Sequence, residues 1–169
     1  MIKKYFLLNA LFVLSVTSYA EPLDPVKLLS SYVGIDTVNP PGNESRAVDF
    51  YAKIFEEEGI EFSSAESAPG RGNIWARIKG GDLPALVLLQ HTDVVPATKK
   101  YWDTDPFVAE IKDGYLYGRG VIDMKGAGIS QLVSFIRLHR SGLSLNRDVV
   151  FVATADEEAG GMFGAGWLI

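Results

Sequence analysis

Apolar residues along the chain recur with two different spacings, and the alternation of these spacings predicts an α/β fold. Three segments place apolar side chains three and four residues apart, as helices do: 25–34, 43–58 with Asn43 as the expected N-cap, and 129–142. Four shorter segments are rich in strand-forming residues, and they span 60–65, 73–78, 85–90 and 149–155. An Asp-Gly pair at 113–114 predicts a hairpin over 108–117.

Two of these strands are almost entirely aliphatic, which is typical of strands buried on both faces of a sheet. The first, 86–90, is followed at once by His91 and then by Asp93. Residues two apart in an extended chain point to the same side, so Asp93 can accept the N–H of one ring nitrogen of His91 and leave the other for a metal. A polar turn in which the two side chains pair only with each other fits the same pattern.

The second aliphatic strand, 149–155, ends in three consecutive acids, Asp156, Glu157 and Glu158. Adjacent carboxylates repel one another unless water or a cation neutralises them. An exposed acidic turn is the alternative interpretation. The two glycines at 160–161 allow the backbone to approach other groups closely, and they therefore favour a site at this position instead of a solvated charged surface.

Asp123 is a further carboxylate between a predicted strand and a predicted helix. Gly118 and Gly120 precede it with the spacing of a dinucleotide-binding loop. Asp123 occupies the third glycine position of that motif, where a carboxylate would repel a pyrophosphate, so the sequence argues against nucleotide binding. Taken alone, Asp123 suits a helix N-cap.

These strand ends together predict one site. In an open α/β sheet the carboxyl ends of the strands meet at one crevice, where ligands bind. The residues expected there are His91, Asp93, Asp123, Glu157 and Glu158. Imidazole and carboxylates without sulfur suit zinc or a similar divalent ion.

Residues 1–20 differ from the rest of the chain. Lys3 and Lys4 precede an apolar run over 5–16, and Ser18 and Ala20 are small residues at the positions that a signal peptidase requires. The segment predicts a cleaved secretory signal, and the mature protein would begin at residue 21, in the periplasm or outside the cell. The apolar run is too short to serve as a stable membrane anchor.

Composition excludes several functional classes. Removing the two lysines with the signal moves the formal net charge from −5 to −7, and so acidic a surface is unsuited to nucleic acid. The chain has no cysteine, which excludes disulfides, thiolate metal ligands and a cysteine nucleophile. His139 is the only histidine besides His91, and its place near the end of a predicted helix assigns it to the surface.

Three segments in order, LLQHTDVVP (88–96), GRGVIDMKG (118–126) and ATADEEAGG (153–161), are supported by IDTVNPPGNE (35–44). They resemble the dizinc metallopeptidase family that includes glutamate carboxypeptidase, aminoacylase, succinyl-diaminopimelate desuccinylase and carboxypeptidase S. The resemblance implies a three-layer, zinc-exopeptidase-like α/β domain with a mixed, mainly parallel sheet. Residues 21–169 would be its N-terminal part, truncated at the C-terminal side.

By the same resemblance, His91 binds one zinc ion, Glu158 binds a second, and Asp123, followed by a cis peptide bond, bridges the two. Asp93 orients His91, and Glu157 is the general base. The implied reaction is hydrolysis of an amide bond in a peptide or an N-acyl amino acid by a metal-activated water. Zinc is the expected metal, with cobalt or manganese as alternatives, because nitrogen and oxygen ligands accept all three.

Members of this family continue beyond the matching segments with one more acidic ligand, a final histidine and a lid domain used for dimerisation. The chain is therefore expected to be a fragment of a longer product, which could form a homodimer through that lid domain. The competing hypothesis is that the 169-residue chain is a noncatalytic exported module that binds a metal or a partner.

We expect the native protein, purified from periplasm or medium, to begin at Glu21 and to have a mass well above the 18.5 kDa of this sequence. Intact-mass spectrometry with N-terminal sequencing measures both quantities. A mature chain that runs from Glu21 to Ile169 would instead favour the binding module.

Overall fold

The computed structural model describes residues 22–169, so the signal sequence predicted for residues 1–20 lies outside the described residues. The helices are α1 (Pro25–Val33), α2 (Ser45–Glu57), α3 (Gly126–Ser141) and the short α4 (Ala165–Leu168). The strands are β1 (Phe62–Glu66), β2 (Gly72–Ile78), β3 (Leu83–His91), β4 (Glu110–Lys112), β5 (Tyr115–Tyr117) and β6 (Arg147–Thr154). Short helical turns lie at Lys99–Tyr101, Val121–Lys125 and Glu157–Ala159.

Four of these strands form a mixed sheet in the order β1-β2-β6-β3. The β1–β2 and β2–β6 pairs are antiparallel, whereas β3 runs parallel to β6. The predicted α/β class with a mixed sheet is confirmed. The expectation of a mainly parallel sheet is wrong for the described residues, because β3 and β6 alone are joined by a long crossover that includes α3, while β1 and β2 are joined by a short turn.

The hydrophobic core lies on the face of the sheet against which α1, α2 and α3 pack. Phe151, on β6, is fully buried at its centre. Its ring centroid lies 5.3 Å from that of Tyr51, 5.6 Å from that of Phe55 and 5.8 Å from that of Phe135. Aromatic pairs at these distances stabilise a core beyond the area that they bury.

The opposite face of the sheet is open in the described part of the chain. On the edge strand β3, Val87 and Leu89 remain 52% and 49% exposed. The prediction that strand 86–90 is buried on both faces is therefore wrong for residues 22–169, because sheet order places the strand at an edge and α1–α3 cover the other face. Residues 22–169 thus form the sheet and one helical layer of the expected three-layer arrangement.

Most helix ends follow the sequence. Asp24 caps α1 by accepting two backbone N–H groups at 3.0 and 3.1 Å, and Gly142 ends α3 with a φ of 61°. The prediction that Asn43 caps α2 is wrong, because Glu44 occupies that position and turns its buried side chain toward Arg71. Within residues 22–169 no helix combines the length and apolar character needed to cross a membrane.

The predicted hairpin is present as the antiparallel pair β4 and β5. Its turn places Asp113 at a φ of 52° and Gly114 at a φ of 81°. Positive φ at both central residues is what a type I′ turn requires, and Asp-Gly tolerates it.

Replacing Phe151 with alanine is expected to lower the free energy of unfolding by about 3–5 kcal/mol, because it leaves a cavity between β6, α2 and α3. Urea unfolding followed by circular dichroism measures the change. Tyr115→Ala removes an aromatic side chain that is 69% exposed and serves as the control. The control should change stability by less than about 0.5 kcal/mol, and equal losses in both variants would contradict this core.

Candidate metal centre

Three chain segments meet at the carboxyl end of the parallel β3–β6 pair. β3 ends at His91, beside the last residue of β6, and the turn Glu157–Ala159 begins just beyond that edge. The third segment is the turn Val121–Lys125, which leads into α3. One ligand atom from each of His91, Asp123 and Glu158 lies within 4.8 Å of the other two.

The imidazole of His91 is 6% exposed and has polar contacts at both ring nitrogens. Nδ1 lies 3.1 Å from the backbone oxygen of Asp93 and 3.4 Å from its carboxylate. Nε2 lies 3.1 Å from Oδ1 of Asp123 and 3.7 Å from Oε2 of Glu157. Burial lowers the pKa of His91, but hydrogen bonds to Asp93 and Asp123 outweigh it and raise the pKa to about 9. Without a metal ion, the ring is therefore protonated at neutral pH.

Asp93 is completely buried and joins His91 to the acidic turn. Its Oδ1 accepts the backbone N–H of Glu157 at 3.1 Å, and its Oδ2 accepts that of Glu158 at 3.0 Å. Asn39 donates a side-chain N–H to Oδ2 at 2.8 Å. Burial raises the pKa of Asp93, but hydrogen bonds from His91, Asn39 and Glu158 lower it below its usual value, so the carboxylate is ionised.

The remaining acids are more open to solvent than His91. The side chains of Asp123 and Glu157 are 75% and 61% exposed, and Glu158 is half-buried. Burial raises the pKa of Glu158; His91 opposes this change, and repulsion by the surrounding carboxylates adds to it. A cation placed among these acids would relieve that repulsion.

The turn that carries Asp123 depends on the glycine before it. Gly120 has a φ of 79°, and a Cβ there would lie 2.5 Å from a valine side chain. The peptide bond between Asp123 and Met124 is cis. Asp123 is not the N-cap of α3, as the sequence alone suggested, because Lys125 occupies that position. The carboxylate of Asp123 faces His91 instead.

Lys125 anchors the same turn to α1, and sequence reasoning missed it. The side chain is 1% exposed, and Nζ donates to the backbone oxygens of Tyr32 at 2.9 Å and Ile35 at 2.7 Å. Burial lowers the pKa of Lys125 to about 8. A lysine in a glycine-rich segment is typical of a surface loop, and the one signal of its burial was its place two residues after Asp123.

Sequence reasoning also missed an ion cluster behind the acidic turn. Asp156 is 4% exposed and Glu44 is completely buried, and Arg71 forms ion pairs with both. Nothing in the sequence distinguished Asp156 from the two acids that follow it. Arg71 lies in a Pro-Gly turn that is typical of a surface. The one indication of this cluster in the sequence was Glu44, which lies in a segment that carries the family resemblance.

The residues present fit a divalent metal ion. His91 offers a ring nitrogen, and Asp123 and Glu158 offer carboxylate oxygens, the donors that zinc and similar ions accept. The 3.1 Å between Nε2 of His91 and Oδ1 of Asp123 is compatible with two ligands of one ion at about 2.0–2.2 Å each. The structure thus brings together all five residues predicted from the sequence, and their individual roles stay predictions.

Comparison with known proteins gives a consistent result. Residues 87–169 match the family model described as Peptidase family M20/M25/M40. Succinyl-diaminopimelate desuccinylase from Parvibaculum lavamentivorans is 36% identical over 148 residues, which cover 84% of this chain and 36% of that protein. Human aminoacylase-1 is 35% identical over 139 residues, which cover 80% of this chain and 34% of that protein. The chain therefore spans about a third of the length of the curated relatives that it matches.

A solved structure supports the fold. The M20 family metallo-carboxypeptidase from Sulfolobus solfataricus aligns with a TM-score of 0.70 over 83% of this chain and 32% of that chain. The two sequences are 21% identical over the aligned part, so this similarity shows a shared fold.

Binding of a divalent ion to the metal-free protein at neutral pH is expected to release a proton, because the ion replaces the proton on His91, whose pKa is about 9. Calorimetric titrations in two buffers of different ionisation enthalpy measure the number of protons released. The raised pKa also sets the direction of the pH dependence, since proton release should disappear as the pH rises past 9.

His139→Gln is the control for that titration. It removes the other imidazole of the chain, which is exposed on α3, and should leave the proton release unchanged. Metal binding without proton release at neutral pH would contradict a protonated His91.

Proposed function

Residues 87–169 belong to peptidase family M20/M25/M40, and from that premise we propose that the protein is a metal-dependent hydrolase. Its substrate is an amide bond in a peptide or an N-acyl amino acid. The names of the relatives, a desuccinylase and an aminoacylase, support removal of an acyl group, and the peptidase family supports a peptide.

The observation that carries this proposal is the convergence of His91, Asp123 and Glu158 within 4.8 Å, with a fourth group positioned beside them. That group is Glu157, whose Oε2 lies 3.7 Å from Nε2 of His91. Three ligand atoms with a neighbouring exposed carboxylate are the parts that metal-assisted hydrolysis needs.

His91, Asp123 and Glu158 would hold the divalent metal. Zinc is the first choice, because imidazole nitrogen and carboxylate oxygen suit it, and cobalt or manganese accept the same ligands. When bound, a divalent ion polarises the scissile carbonyl and lowers the pKa of water.

The chain's own residues supply orientation and proton transfer. Asp93 fixes the ring of His91 through Nδ1, which leaves Nε2 facing the acids. Glu157 accepts a proton from the attacking water and passes it to the leaving amine. Its backbone N–H is fixed by Asp93, and its exposed side chain can reach a substrate from solvent.

The cellular setting is part of the same proposal. Residues 1–20 act as a cleaved signal sequence, and residues 21–169 form the N-terminal part of an exported catalytic domain. A lid domain elsewhere in the full-length protein would complete the substrate site and allow a homodimer. The acidic composition supports a small substrate over nucleic acid.

A second candidate is a noncatalytic exported module that binds a metal or a protein partner. The open apolar face of the sheet favours it, because Val87 and Leu89 remain about half exposed on the strand that carries His91. Apolar surface of this kind is typical of regions covered by another part of a protein or by a partner.

Glu157→Gln in the full-length protein is expected to lower the rate of hydrolysis of N-acyl amino acids and dipeptides by about 10²–10⁴-fold, because the amide cannot accept the proton. Metal binding should persist, since Glu157 is not among the three proposed ligands. Steady-state kinetics and metal analysis of the purified variant measure the two effects.

Glu110→Gln, which changes an exposed acid on β4, is the matched control and should retain full activity. Loss of the metal together with activity in Glu157→Gln would make Glu157 a ligand and contradict its role as base. Metal binding by the unaltered protein without any hydrolysis would favour the binding module.

A further inference from the structure

Arg71 lies behind the candidate metal centre, just before β2, and is 6% exposed. Its guanidinium forms an ion pair with Asp156, and Nη2 lies 3.3 Å from the carboxylate of Glu44. Nη1 donates to the side-chain oxygen of Asn39 at 3.2 Å and to the backbone oxygen of Pro41 at 2.7 Å. One side chain thus joins the start of β2, the segment before α2 and the residues that follow β6.

Asp156 connects Arg71 to the acidic loop, defined as residues 157–163. The backbone N–H of Asp156 donates to Glu44 at 3.2 Å, and its Oδ2 accepts the N–H of Phe163 at 3.1 Å. Its backbone oxygen accepts the N–H of Gly161 at 2.6 Å. The acidic loop, which carries the proposed base and one proposed ligand, is therefore anchored near both of its ends by Asp156.

Asn39 extends the same network to the histidine side of the site. Its side-chain N–H group lies 2.8 Å from Oδ2 of Asp93 and 3.2 Å from Oδ1 of Asp156. Asp93 in turn fixes His91. A shift of Asp156 would consequently be transmitted to both sides of the metal centre.

The chemistry of this position favours arginine. A buried carboxylate is costly unless it is paired and hydrogen-bonded. The planar guanidinium presents several donors in fixed directions, so that Arg71 reaches Asp156, Glu44, Asn39 and Pro41 at once. An ammonium group carries the same charge but cannot match those directions.

We propose that Arg71 is a positioning residue that acts through Asp156 and Asn39 to set the acidic loop and Asp93 for metal binding. This inference rests on the proposed function, because it assigns the acidic loop to the metal centre. It goes further by assigning metal affinity to a side chain that does not touch the metal site.

The test compares Arg71→Lys with Arg77→Lys in the full-length protein. Arg77 lies on the same strand β2 and also pairs with an aspartate, Asp148, but its side chain is 61% exposed. Co²⁺ serves as the probe, because its visible spectrum reports ligand geometry. Arg71→Lys should weaken Co²⁺ binding about 10-fold or more, alter the Co²⁺ spectrum and lower kcat more than it raises KM. Arg77→Lys should change each quantity by less than about twofold.

Arg71→Met, which also removes the charge, should have the larger effect, and if it fails to fold then Arg71→Lys decides. Native Co²⁺ affinity and spectrum in Arg71→Lys, with only a lower melting temperature, would overturn the inference and leave Arg71 as a stabilising residue. Co²⁺ binding without hydrolysis by the unaltered protein would refute the proposed function, while affinity and spectrum would still decide the role of Arg71. An unaltered protein that binds no Co²⁺ would overturn both.

Discussion

The buried carboxylate of Asp93 is the interaction on which the rest of the site depends. An ionised carboxylate without solvent is tolerated only when its oxygens are hydrogen-bonded, and here the donors come from separate segments. The backbone N–H groups of Glu157 and Glu158 follow β6, the amide of Asn39 precedes α2, and the ring of His91 ends β3. Satisfying one buried charge therefore fixes the position of the acidic loop relative to the histidine.

The carboxylates of the site fall into two groups, one buried and one exposed to solvent. Asp93 and Asp156 are buried, and their oxygens accept hydrogen bonds from donors within the protein. Asp123 and Glu157 are largely exposed, and their oxygens face His91 without such a set of backbone donors. The buried pair can therefore maintain geometry, and the exposed pair stays accessible to an ion, a water or a substrate. This division follows from the position of the site at the ends of the strands, where the buried core of the sheet meets solvent.

Sequence was sufficient for features that depend on local chemistry. The start of α1, the C-terminal end of α3 and the Asp-Gly hairpin follow from caps and turn residues that act within a few positions. Four of the five site residues could be predicted as a group, because the parallel strands β3 and β6 share an edge. Asp123 reaches that edge from the turn that leads into α3. Features that depend on distant partners could not be predicted. Glu44 replaces Asn43 before α2 because its carboxylate pairs with Arg71, and Lys125 is buried because α1 supplies backbone oxygens. Strand β3 is exposed because sheet order places it at an edge.

In the metal-free protein, the proton on His91 supplies the positive charge that a bound metal ion would otherwise supply. Without an ion, the protonated ring balances the charge of Asp93, and its Nε2 points at Asp123. An ion bound through Nε2 would replace that proton and leave the contact between Nδ1 and Asp93 intact. The same buried support would serve both states, since Asp93 and Arg71 take their partners from the protein itself and not from the cation. Affinity for the ion then depends on how closely the carboxylates of Asp123 and Glu158 approach Nε2 of His91. The buried residues behind the site set that distance.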